Sequence, residues 1–139
     1  MFTSTKKFGP ISTCHRNWHA ADNKNRNSRH CSFIHGYSRY IQITFVGEPD
    51  ECQWVMDFGD LKDVKSFIED CWDHAVLVAS DDPEIYTLRN LHQDQLVKLT
   101  EIDVSYGLDW GPGIEGSCKH MFDSISNIIF KNTQGRVGI

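Results

Sequence analysis

Polar and apolar positions along the 139-residue chain change period several times, and each change marks an element. Over residues 40–46, Ile41, Ile43 and Phe45 alternate with Gln42 and Thr44, the two-residue period of a strand buried on one face. The turn cluster Gly47-Glu48-Pro49-Asp50-Glu51 separates it from a second extended run at 53–58, and the two read as an antiparallel hairpin with a long connection. The period then lengthens. Leu61, Val64, Ile68 and Cys71 recur at spacings of three and four, which predicts an amphipathic helix over about residues 60–72. Cys118, Met121, Phe122, Ile125 and Ile129 form a second helical face over about residues 115–130, with Glu115 in its first turn, where a carboxylate favours the amide dipoles. On this reading Cys71 and Cys118 are inert thiols on apolar faces.

Shorter elements fill the gaps. A short strand is expected near 6–12 and another at 101–106. Asp82-Pro83 opens a short helix, with aspartate as cap and proline at the first position; His92 within it reads as surface. Residues 21–29 show no apolar period and read as a surface loop, in which Arg26 or Arg29 could meet an anionic substrate. Residues 107–113 form a second loop, and the chain turns extended again from Arg136.

Composition narrows the class. The length predicts one domain, residues 1–139, large enough to fold without staples. Five scattered cysteines without a C-x-x-C pair indicate neither a disulfide framework nor a zinc ribbon, and fit a reducing compartment. The opening residues lack the apolar core of a signal peptide, and no apolar run approaches a membrane span. A soluble, cytoplasmic protein with no membrane partner is expected. A formal charge of -5 argues against a nucleic-acid-coating surface.

Candidate chemistry concentrates in Cys31-Ser32-Phe33-Ile34-His35-Gly36-Tyr37. In an extended segment His35 and Tyr37 share one face, so two possible metal ligands project together. Cys31 lies just upstream, where an electropositive neighbour would favour its thiolate. Asp73-His74, at the end of the first long helix, is a candidate proton-transfer pair, although a histidine near a helix C-terminus also suits the dipole alone.

These segments fall in the order of a known family. The chain resembles the 6-pyruvoyltetrahydropterin synthase and 6-carboxytetrahydropterin synthase family in four places: His15 after the first strand, C-x-x-x-H-G at Cys31 to Gly36, Asp57-Phe58-Gly59-Asp60-Leu61-Lys62, and Asp73-His74. The resemblance covers nearly the whole chain. It implies an α+β tunnelling fold (T-fold), an antiparallel sheet with two long helices on one face, assembled as a homo-oligomer by pairing of sheet edges. It also implies a Zn2+-dependent lyase acting on 7,8-dihydroneopterin triphosphate, with His15, His35 and the position of Tyr37 at the metal. Cys31, Asp73 and His74 would move protons, and Glu115 would lie near the pterin.

The pattern departs from the family at two points. Tyr37 stands where the family has its third zinc-binding histidine, which leaves metal bound through the Tyr37 oxygen, His30 or His19 as a substitute ligand, or no metal at all. The strands that follow in the family, with the glutamate that anchors the pterin ring, have no counterpart before Ile139, so a C-terminally truncated chain is expected. The resemblance favours the 6-carboxytetrahydropterin reaction that feeds 7-deazaguanine (queuosine) synthesis. The alternatives are a family member that binds a pterin or purine without turnover, and a structural assembly subunit.

Overall fold

The computed structural model describes residues 1–22, 30–104 and 111–139. Its sheet is built on two long strands, β1 (Phe2–Arg16) and β2 (His35–Gly47), paired antiparallel from Phe2 opposite Gly47 to His15 opposite His35. Then follow α1 (Lys62–Cys71), β3 (Ala75–Ala79), α2 (Ile85–Gln93), β4 (Lys98–Ile102), α3 (Ile114–Asn132) and β5 (Val137–Gly138). The strand order is β4-β3-β1-β2-β5.

The α+β class agrees with the sequence reading, but the sheet is mixed rather than antiparallel: β3 pairs parallel to both β1 and β4. The strand responsible, Ala75-Val76-Leu77-Val78-Ala79, is buried at every position and so carries no alternation to read. It is covered on both sides. Ala75 and Leu77 join the main core with Val64 and Ile68 of α1, Met121, Ile125 and Ile129 of α3, and Ile43 and Phe45 of β2. The alternate residues Val76 and Val78 pack with Ile85 and Leu88 of α2.

The expected hairpin partner at 53–58 is not a strand. Asp50 Oδ1 accepts the backbone N–H groups of Cys52 and Trp54 at 2.9 and 3.0 Å, which commits the segment to a turn that drops Val55 and Met56 into the core. β2 takes β1 as its partner instead. Cys118 also departs from expectation, because it is exposed while Met121, Ile125 and Ile129 of the same helix are buried. The loop at 107–113 up to residue 110, the last two residues of the strand expected at 101–106, and Arg26 and Arg29 lie outside the described residues.

One irregularity decides what faces the core near the end of β1. The β1–β2 register shifts between Phe8 and Ile11, so that Gly9 and Pro10 of β1 stand opposite the single residue Tyr40 of β2. Before the shift the even positions Ser4, Lys6 and Phe8 are the less exposed ones, and after it Ile11, Thr13 and His15 are buried. The bulge therefore turns His15 inward. Gly9 makes it possible, with φ +110° and a position where a Cβ would lie 2.7 Å from the Arg39 carbonyl oxygen. Gly9→Ala is expected to cost about 1–3 kcal/mol in urea unfolding; an unchanged midpoint would mean that the bulge is not needed.

Candidate active site

The β1–β2 register builds the site. His15 stands directly opposite His35, and Tyr37 opposite Thr13, so three side chains separated by up to 22 positions meet on one face. The rings of His15 and His35 are 4.4 Å apart between centroids, and those of His15 and Tyr37 are 5.4 Å apart. The Tyr37 hydroxyl is hydrogen-bonded to His15 Nδ1 at 2.8 Å. His35 Nδ1 lies 2.8 Å from the Phe33 carbonyl, which can only accept, so that nitrogen carries a proton and donates. Among the described residues each imidazole thus has one nitrogen engaged and no partner on the other.

The environment keeps His15 neutral. Burial, then the neighbouring His35, then Arg39, hold its pKa down to about 4. Burial pushes the Tyr37 phenol above its ordinary value, against the pull of Arg39. The His15 shift makes a prediction about stability. The unfolded imidazole takes a proton below about pH 6.5, whereas the folded one resists until about pH 4, so the folded state binds fewer protons in that window. Stability should fall as pH falls from about 6.5 towards 4, by about 2 kcal/mol from this residue between pH 7 and 4.5. Urea unfolding of the native protein and of His15→Asn at both pH values checks it; equal slopes for the two would remove His15 as the cause.

Around the three side chains the structure adds groups that the sequence reading did not single out. Arg39 extends from the same face of β2 and donates through Nη2 to Ser117 Oγ at 2.6 Å, which brings the first turns of α3 over the site. Glu115 lies in that first turn and is exposed. The signal for Arg39 was its place two residues after Tyr37, on the inward period of an otherwise apolar strand face.

Cys31 is half-buried in a short turn at residues 30–32, with its carbonyl accepting the Asn17 N–H at 3.0 Å. That bond pins it beside the end of β1, two residues from His15. The same turn is held by Arg16, whose Nη1 donates to the Ser32 carbonyl at 3.2 Å while its Nε meets the buried carboxylate of Asp82 at 2.8 Å. His19 is engaged elsewhere, with Nε2 3.2 Å from Asp81, and His30 is exposed.

Asp73 and His74 form a built pair at a different level of the sheet. His74 Nδ1 is 3.1 Å from Asp73 Oδ1, which also accepts the Ser12 N–H at 2.9 Å and is held below the usual carboxylate range first by that bond. His74 sits at φ +60°, fixed by its own N–H on the Ser12 carbonyl. Ser12 precedes His15 by three residues, roughly 10 Å along a strand. The His74 ring opens instead on a shallow cleft with His92, Leu96 and Lys98. Within one chain the pair and the His15–His35–Tyr37 group are separate.

The order and spacing of these residues agree with a wider comparison: the sequence profile of the family described as 6-pyruvoyl tetrahydropterin synthase matches residues 4–138. The chain belongs to the 6-pyruvoyl tetrahydropterin synthase family. The crystal structure of an uncharacterized protein from Wolinella succinogenes is similar in fold, with a TM-score of 0.53 and 24% sequence identity, over 68% of this chain and 53% of that one. The matched region thus spans about half of that protein's length. No curated protein matches the chain.

The metal expected in this family can be tested against the donors present. His15 and His35 fit zinc, since each is an imidazole with a free nitrogen and its other nitrogen hydrogen-bonded, the arrangement that orients metal-binding histidines. Tyr37 does not fit as a neutral third ligand, because burial opposes its ionisation and its hydroxyl is engaged with His15. Among the described residues no three His, Cys, Asp or Glu side chains are grouped to hold a metal ion.

Proposed function

We propose that this family member is a lyase that takes 7,8-dihydroneopterin triphosphate at the His15–His35–Tyr37 face and, with loss of the triphosphate, converts it either to 6-carboxytetrahydropterin, by cleavage of the side chain, or to 6-pyruvoyltetrahydropterin, with the side chain retained. The observation that supports this most is the convergence of His15, His35 and Tyr37, from two strands, with one nitrogen of each imidazole hydrogen-bonded and the other open to a ligand. Zinc would be held by His15 and His35, and Tyr37 would brace His15 from behind rather than bind the ion. Bound there, zinc supplies a Lewis acid that polarises the oxygens of the pterin side chain.

The remaining roles fall to side chains. Cys31, fixed beside the end of β1, takes or returns a proton on the substrate side chain. Asp73 holds His74 by its Nδ1, which leaves Nε2 to exchange protons at the surface of the sheet. Glu115, in the first turn of α3, offers a carboxylate to the pterin ring. Chromatography of 7,8-dihydroneopterin triphosphate incubated with the protein tests the reading. Formation of 6-carboxytetrahydropterin supports it; no product, with saturable binding of neopterin, leaves the second reading, binding without turnover, which the phenol at position 37 favours. Neither product nor binding contradicts both.

Self-assembly belongs to the same proposal. On its second edge β1 is paired only at Thr13–Arg16, by β3, and β2 only at its last two residues, by β5, so long stretches of β1 and β2 remain open edges among the described residues. Exposed Phe2 and Trp54 flank a cleft at the start of β1. We place the contacts of a homo-oligomer along these edges. Light scattering that showed only a monomer would refute this. Among the described residues no helix is long and apolar enough to cross a membrane.

A further inference from the structure

Arg39 is an inward-facing cation with no counter-ion among the described residues. Its guanidinium lies between two aromatic rings, with Cζ 5.5 Å from the Tyr37 centroid and 5.4 Å from that of Trp72. A guanidinium carries five N–H donors. Nη2 donates to Ser117 Oγ, whose own proton goes to the Ile114 carbonyl at 3.1 Å. Nη1 is shut off from solvent and has no hydrogen-bond partner among the described residues. None of the ion pairs among the described residues includes Arg39.

The unmet demand extends to its neighbours. Trp72 is 0% exposed, and its Nε1 also lacks an acceptor. The Trp72 ring lies 5.6 Å from that of His120, whose Nδ1 is a third buried atom without a partner. Buried donors are nearly always paired, and a buried charge left without an opposite charge destabilises the fold. Arg39 Nη1 and Trp72 Nε1 are thus two neighbouring buried donors, one of them charged, whose partners are not among the described residues.

We propose that Arg39, with Trp72 and Ser117 around it, is an oxyanion subsite that takes a carboxylate or phosphate group of the ligand bound beside Tyr37 and His15. Both ligand groups present paired oxygens that match the planar fork of a guanidinium. The rings of Tyr37 and Trp72 hold the fork in place, and Ser117 brings in the positive end of α3. That the oxyanion is a substituent of a pterin rests on the proposed function; that Arg39 takes an oxyanion does not.

Thermal unfolding of the full chain in a zwitterionic buffer tests this, with sodium tripolyphosphate, inorganic phosphate or acetate added and sodium chloride as control at equal ionic strength. The native protein should unfold at a higher temperature with at least one of the three and not with chloride. The half-saturating concentration should rise at least about tenfold in Arg39→Met, which keeps the stem and removes the charge, and less in Arg39→Lys. A response to both phosphates but not acetate identifies a phosphate subsite, and the reverse a carboxylate one. No response in the native protein, or an equal response in Arg39→Met, overturns the proposal. Neopterin carries neither group, so its binding, measured in parallel, reports on the pterin reading separately.

Discussion

Asp82→Ala is expected to lower folding stability by about 3–5 kcal/mol, the cost of breaking a buried ion pair from one side. Asp82 is 1% exposed, and its two oxygens do two jobs: Oδ2 accepts from Arg16 Nε at 2.8 Å and Oδ1 accepts the Glu84 N–H at 2.8 Å. Alanine leaves the guanidinium without its anion and the turn before α2 without the carboxylate that accepts the Glu84 N–H; the helix itself starts at Ile85, with Glu84 rather than Asp82 at the cap position. Arg16 is also bonded to the Ser32 carbonyl, so the damage should reach the turn that carries Cys31. A double variant, Arg16→Met with Asp82→Leu, removes both charges together and should recover most of the loss, because well-packed apolar replacements of a buried pair are often neutral. Urea unfolding reads both. A loss below about 1 kcal/mol for Asp82→Ala would show that the pair is not coupled to the fold as its burial implies.

Cys31→Ala should reduce turnover of 7,8-dihydroneopterin triphosphate by on the order of 10²-fold or more, the scale of a lost proton-transfer group. Stability should change little, because Cys31 belongs to neither hydrophobic core and its backbone carbonyl, not its side chain, makes the bond to Asn17. Thiol labelling must be read residue by residue, since Cys52 and Cys118 are exposed and will react as well. Cys71 remains the inert control, half-buried and with its thiol pKa raised by burial. Near-normal turnover in Cys31→Ala would remove this residue from the reaction and leave proton transfer to His74.

What the sequence reveals follows from which physical signals are local. α1 and α3 are legible because Val64 and Ile68, and Met121, Ile125 and Ile129, repeat at helical spacing and do form the core. β3 is not, because a strand covered on both faces has no period, and its parallel pairing depends on a crossover that no short window contains. The turn at 50–56 misleads because its apolar residues resemble a strand while one carboxylate, Asp50, captures the backbone. At the site, the two-residue spacing of His35 and Tyr37 places them together correctly. The arrival of His15 depends on a bulge at Gly9, and the importance of Arg39 lies in a guanidinium nitrogen with no acceptor among the described residues, which only three dimensions can display.

The central claim is that His15, His35 and Tyr37 form one wall of a pterin-binding site. A fluorescence titration of neopterin against the native protein and against His15→Ala and His35→Ala tests it most directly, with circular dichroism to establish that each variant is folded. The account predicts saturable binding by the native chain and at least about a tenfold loss of affinity in each folded variant, roughly 1.4 kcal/mol or more. Absence of saturable binding by the native protein, or unchanged affinity in both variants, would contradict it.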